Sequence, residues 1–98
     1  MRRPEIDAEE LLGSRGRIRV LRVLSESGEL NISEVGRRTG MNYTSVERHL
    51  EALTGMGLLR EKRYGKIRIF EAAFRSLTVR FERQKGVRVE TEREDRSF

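Results

Sequence analysis

The sequence predicts an α+β fold: a three-helix core, then a β-hairpin, then a further short element. Three observations carry this expectation. Residues 31–55 hold two short amphipathic segments separated by Gly40-Met41, the layout of a helix-turn-helix. Residues 15–27, upstream, repeat apolar residues at helical spacing. From Leu58 onwards the period changes to two, and Gly65 divides a basic strand from its return.

Each element has a local cause. Pro4 can open a short helix over residues 5–12, with acidic residues in the first turn where the helix dipole favours them, and Gly13 ends it. Ser14 can cap a second helix running to about residue 27. Ile18, Leu21 and Leu24 share one face of it, Val20 widens that stripe, and Gly28 stops it. A brief strand is expected over 30–32. Asn31 or Ser33 can then accept the orphan amides of a third helix that ends at Gly40. Met41 is the apolar residue of the turn, and Asn42 can cap the next helix, residues 42–54. Within it Val46, Leu50 and Leu53 fall at i, i+4 and i+7 and must face the core.

Gly55 and Gly57 punctuate its end. Strands are expected over 58–63 and 67–71 around Tyr64-Gly65-Lys66, with Gly65 supplying the positive φ of a tight hairpin. Ile67 and Ile69 alternate with Lys66 and Arg68, which predicts one dry and one cationic face. Residues 72–90 fit either a helix or a second hairpin. A helix aligns Phe74, Leu77 and Phe81 but leaves Val79 on the wrong side. A hairpin alternates Leu77, Val79 and Phe81 and answers them with Val87 and Val89 across 83–86, so it accounts for all five apolar residues and is preferred. The expected organisation is a helical extension (1–13), a core domain (14–71), the C-terminal element (72–90) and a solvated tail (91–98).

Composition bounds the function. Ninety-eight residues allow one domain with a small core and little room for an enclosed active site. A net charge of +5 points to an acidic polymer or surface as partner. Lysine appears only at Lys62, Lys66 and Lys85, so most of the basic residues are arginine, whose planar fork grips phosphate or guanine with two bonds. The chain has no cysteine, which removes disulfides, thiolate metal sites and cysteine nucleophiles. No apolar run resembles a signal peptide or a bilayer span, so a cytoplasmic protein without membrane attachment is expected. The lone histidine, His49, reads as a half-buried helix residue, because one imidazole cannot make a metal site; no metal and no cofactor are expected. Glu9 and Glu10 point about 100° apart on a helix and cannot share a proton. No glycine-rich phosphate loop follows a strand, and the chain reads as a non-enzyme.

Double-stranded DNA is the partner these features name. Asn42, Tyr43, Thr44, Glu47 and Arg48 lie on the outer side of the second helix of the pair, where Asn can bond adenine and Arg guanine. Glu47 departs from an ideal DNA-facing surface, and Glu51 shares that face. Arg15, Arg17, Arg37 and Arg38 are candidate clamps on the phosphate backbone, against the alternative of a solvated face with local pairing to Glu26, Glu34 or Glu10. Arg2 and Arg3 could form a minor-groove arm, although a frayed terminus is the simpler reading.

The segments RIRVLRVL, ISEVGRRTGMNYTSVERHLEALTGMGLL and KRYGKIRIF resemble the first helix, helix-turn-helix and wing of winged-helix regulators of the arsenical-repressor (ArsR-like) type, especially their archaeal relatives. The resemblance covers about residues 14–71, and its most specific part is V-x-x-HL-x-x-L followed by GLL. It implies that Tyr43, Thr44, Glu47 and Arg48 face the major groove. It likewise implies that Lys62, Arg63, Lys66 and Arg68 approach phosphates or the minor groove. It implies a homodimer on a palindromic operator that regulates transcription. Metal sensing through cysteine pairs, common in that family, is not carried over to a chain without cysteine. Two other readings stay open: an architectural DNA binder without base readout, and a winged-helix module that binds protein, for which Glu47 and Glu51 are the best support. An effector, if any, is not named by the sequence.

Overall fold

Helix α1 (Ala8–Leu12) begins later than Pro4 led us to expect, because Asp7 is the residue that caps it. Its carboxylate accepts the Glu9 and Glu10 amides at 2.9 and 3.3 Å, satisfying donors that have no partner within the helix. The computed structural model describes residues 5–93. Pro4, the Arg2–Arg3 arm and most of the expected tail therefore lie outside the described residues.

Helix α2 (Arg15–Ser27) is capped by Ser14, whose hydroxyl accepts the Arg17 amide at 3.1 Å, and it buries Val20, Leu21, Val23 and Leu24. Strand β1 is only Leu30–Asn31, since Ile32 already opens α3 (Ile32–Thr39). Asn31, rather than Ser33, is the cap. Its side chain accepts the Glu34 amide and the Glu34 carboxylate accepts the Asn31 amide, both at 2.8 Å, in a reciprocal capping box. Asn31→Ala should cost about 1 kcal/mol of stability, read as a lower urea midpoint with unchanged slope. An unshifted midpoint would show that the box contributes nothing. Gly40 closes α3 at φ 75°, a left-handed conformation that suits glycine, and its amide bonds Gly36.

Asn42 then caps α4 (Tyr43–Gly55) by accepting the Ser45 amide at 2.8 Å. Val46, Leu50 and Leu53 are fully buried, as their spacing requires. They meet Val20, Leu24 and Val35 in one cluster, so the three helices cross around a shared core. Each such side chain contributes about 1.5–3 kcal/mol by leaving water. Gly16 lets α2 pack tightly against α4 and the turn before it: a Cβ there would lie 2.9 Å from Met41 Cε and 3.0 Å from His49 Nε2.

Strands β2 (Leu59–Tyr64) and β3 (Ile67–Ala72) form an antiparallel hairpin, and β1 adds to the other side of β3, giving the order β1-β3-β2. The turn is Gly65-Lys66, with Tyr64 opposite Ile67. The dry face is not the one the isoleucines suggested. Phe70 is fully buried, pairing with Leu30 and Glu61, so strand alternation puts Arg68 on the inner face and Ile67 on the outer, where it is 54% exposed.

The C-terminal element is a hairpin, β4 (Ser76–Glu82) with β5 (Gly86–Glu92), and a helix over 72–85 is excluded. Its register sets Val79 against Val89 and Phe81 against Val87. Pairing continues to Ser76 and Glu92, so β5 runs beyond residue 90, where we expected the tail to begin. Leu77 and Val89 pack against the main core, whereas Phe81 does not reach it.

Candidate nucleic-acid interface

The outer face of α4 is built by subtraction. Once Val46, Leu50 and Leu53 point inwards, Tyr43, Thr44, Arg48 and Glu51 remain exposed. Asn42 is exposed too, but its side-chain oxygen is committed to the cap, so its amide nitrogen is the group left to reach outwards. No ion pair involves Arg48 among the described residues.

Glu47 behaves differently from its neighbours. Its carboxylate receives a hydrogen bond from Arg68 Nη1 at 2.9 Å, joining α4 directly to β3. The Arg68 guanidinium also donates to Glu61 at 2.7 and 3.3 Å and lies 4.0 Å from Glu51. It stacks over the Phe70 ring at 5.4 Å, and its side chain is only 20% exposed. The Arg68 bonds are the foremost reason the Glu61 carboxyl is held below its ordinary value; Arg63 assists and burial opposes. Arg68 is held above its own by the Glu61 hydrogen bond. The sequence missed this tether because its ends lie 21 residues apart. The one available signal was that strand alternation, phased on Phe70, turns Arg68 inwards.

The other wing cations divide into two groups. Lys62 lies on the outer face of the sheet, bonded to Glu29 at 2.9 Å and 3.0 Å from Glu71. Those carboxylates, Glu29 first, raise its pKa. Arg63 touches Glu61 at 3.0 Å yet stays well exposed, and Lys66 projects from the turn with no ion pair among the described residues. Tyr64 and Ile67, an exposed cross-strand pair, sit between them; the sequence assigned them no such place.

Among the four arginines named as clamps, Arg15 and Arg37 are exposed. Arg38 is exposed and donates to Ser27 Oγ at 2.7 Å. Arg17 is folded inwards, donating to the Glu10 carbonyl at 2.7 Å, so it ties α1 to α2. His49 is buried rather than half-buried, and burial first, then Arg17 and Arg48, lowers its pKa. An imidazole so placed is neutral near pH 7. No group of three or more His, Cys, Asp or Glu able to hold a metal occurs among the described residues, nor is any described helix long and apolar enough to cross a membrane.

This architecture has relatives. The family of bacterial regulatory proteins named arsR matches residues 14–61, which span α2 to the start of β2. A crystal structure of a possible transcriptional regulatory protein (fragment 1–100) from Mycobacterium bovis is similar at TM-score 0.58 and 31% identity, covering 63% of this chain and 66% of that one. The AntR antimony-specific transcriptional repressor is similar at TM-score 0.60 and 27% identity, covering 64% of this chain and 57% of that one. A solution structure, also from Mycobacterium bovis, is a homodimeric winged helix-turn-helix DNA-binding domain (fragment 1–100) of a possible ArsR-family transcriptional regulator. It matches at TM-score 0.58 and 30% identity, covering 65% of this chain and 58% of that one. This chain thus spans less than two thirds of each of those chains. No curated protein sequence matches it significantly. With α2, α3 and α4 as its helical core and β2–β3 as its wing, the helix-turn-helix domain of this chain belongs to the arsR family of regulatory proteins.

Proposed function

We propose that this chain is a sequence-specific, double-stranded DNA-binding transcription regulator that works as a homodimer. Helix α4 enters the major groove, with Tyr43, Thr44 and Arg48 as base readers and Glu47 behind them. The wing approaches the backbone or minor groove through Arg63 and Lys66, and Arg15, Arg37 and Arg38 are placed to meet phosphates. Residues 14–71 form the DNA-binding unit, 1–13 a helical extension and 72–90 an accessory hairpin. The chain has no catalytic role and acts in the cytoplasm. The observation that carries this reading is the exposed face of α4, with Arg48 outside any ion pair among the described residues, standing beside a wing tethered to it through Glu47 and Arg68. The tether also weakens the protein-binding alternative, because Glu47 is matched to a cation within the fold. An antimony site is not part of the proposal, since the chain has no cysteine.

Selection of bound duplexes from a random pool tests this. A single enriched motif with two-fold symmetry is expected. Binding without an enriched motif would favour an architectural role, and failure to shift any duplex at low salt would remove DNA as the partner.

The wing makes a separate prediction. Replacing Arg63 and Lys66 by Gln should weaken binding to every duplex and flatten the slope of log K against log salt by about 0.9 per lost phosphate contact. Lys62→Gln should change that slope less, because Lys62 is held by Glu29 and Glu71. Equal slopes in all three proteins would take the wing out of the interface.

A further inference from the structure

We propose that the Tyr64–Ile67 pair at the tip of the wing enters the DNA minor groove and selects A·T over G·C pairs there. This rests on the DNA-binding reading above and adds a source of sequence preference that the wing cations do not supply.

The pair closes the wing hairpin. Tyr64 and Ile67 stand opposite each other across the Gly65-Lys66 turn and are 61% and 54% exposed. Both lie on the outer face of the sheet, whereas Phe70 and Arg68 lie on the inner one. Ile69, the next residue of β3 on that outer face, is already half-buried. The exposed apolar surface of the wing is thus concentrated at its last rung, where an aromatic and a β-branched side chain sit side by side. Such a pair held in water at a strand end loses burial energy that a partner recovers.

Charge and shape identify the partner. Residues 63–67 hold two cations, Arg63 and Lys66, and no carboxylate. Glu61, the nearest acid along β2, is engaged by Arg63 and Arg68. An apolar pair flanked only by cations fits a cleft with anionic walls and an interior of sugars, better than a protein surface of mixed charge. The minor groove is such a cleft, about 6 Å wide. Two strands about 4.8 Å apart cannot enter it with their backbones, so only side chains at the tip can reach its floor. Arg63 and Lys66 then meet the phosphates of its walls. The tether fixes where this happens. Arg68 follows Ile67 in β3 and bonds Glu47 of α4 at 2.9 Å, so the tip keeps a set distance from the base-reading helix.

Selectivity follows from the groove floor. A·T pairs present only acceptors there, whereas G·C pairs add the guanine 2-amino group. The Tyr64 hydroxyl can donate to adenine N3 or thymine O2. Ile67 offers the guanine amine no acceptor and competes with it for space. A·T-rich grooves are also narrower, which brings the sugar walls against both side chains. Apolar side chains used in this way are a known means of minor-groove recognition.

Gel-shift titration of the full chain tests this, with the duplex enriched from the random pool as the probe. The pairs flanking each half-site are made A·T, G·C or inosine·C. Inosine lacks the 2-amino group, so inosine·C matches A·T in the minor groove and G·C in the major groove. The wild type should bind the A·T and inosine·C duplexes alike and the G·C duplex roughly 5-fold or more weakly. Tyr64→Ser combined with Ile67→Ser should erase that difference while leaving the salt slope unchanged, since no phosphate contact is lost. Circular dichroism checks that the variant is folded. Three results would overturn the contact while DNA binding by α4 stands: inosine·C behaving as G·C, a variant that keeps the wild-type preference, or a variant with a flattened salt slope. The second would assign the pair to a protein partner, and the third would make it a prop for the cations. A wild type that enriches or shifts no duplex would overturn both readings.

Discussion

Phe70→Ala should destabilise the protein by about 3–5 kcal/mol, the largest stability loss we expect from one side chain. Phe70 is fully buried at the centre of β3, between Leu30 of β1 and Glu61 of β2, and it belongs to the cluster that holds α2 and α4. Truncation leaves a ring-sized cavity and removes the surface on which the Arg68 guanidinium stacks. A domain of this size has about 5–15 kcal/mol in total, so the variant should be close to its unfolding threshold. Ile67→Ala, three residues away on the outer face, should change stability by no more than about 0.5 kcal/mol. Urea denaturation followed by circular dichroism measures both. Similar losses for the two would mean that the phase of β3 is the opposite of the one described.

That contrast shows what the sequence could and could not yield. The helical scaffold was legible because a 3.6-residue period fixes which face of a helix is wet, and Val46, Leu50 and Leu53 left no choice. Caps were legible for the same local reason, and Asn31, Ser14 and Asn42 all act within three residues of themselves. A strand's period of two gives alternation without phase. Ile67 and Ile69 looked like the buried set, but Leu30 and Leu59 on neighbouring strands select Phe70 instead, and that pairing is invisible in one strand. The C-terminal hairpin could be read because five apolar residues alternate about a turn. Its full length could not, because Ser76 opposite Glu92 has no apolar signature. Ion pairs were the least legible of all. Arg68 looked like a free cation until its distant partner, Glu47, was in place, whereas Glu10, which holds Arg17, was one of three local partners the charge pattern offered.

Arg68→Ala should reduce operator affinity roughly 10–100-fold, even though Arg68 is not itself expected to touch DNA. In the folded protein one guanidinium bonds Glu47 and Glu61 and lies 4.0 Å from Glu51. Removing it leaves those carboxylates without that cation on the surface that the proposed function turns towards phosphate. It also releases the wing from α4, so that Arg63 and Lys66 lose their fixed distance from Arg48. The competing view makes Arg68 a direct phosphate contact. Glu47→Gln separates the two, because it removes the carboxylate that holds Arg68 to α4 and deletes one negative charge, while the Glu61 bonds stay in place. A direct contact predicts tighter binding for Glu47→Gln, whereas a tether predicts weaker binding or relaxed specificity. Under the tether, a double-mutant cycle on DNA affinity should give a coupling of about 0.5–3 kcal/mol between Glu47 and Arg68. Zero coupling would sink it. The pH dependence has a definite sign. Glu61 has its folded pKa lowered below 4.5, chiefly by the Arg68 bond, so its share of the tether is fully present above that value and is lost as pH falls through the folded pKa. Operator binding should therefore show no titration of Glu61 between pH 6 and 8. A loss of affinity within that neutral window would have to come from another group.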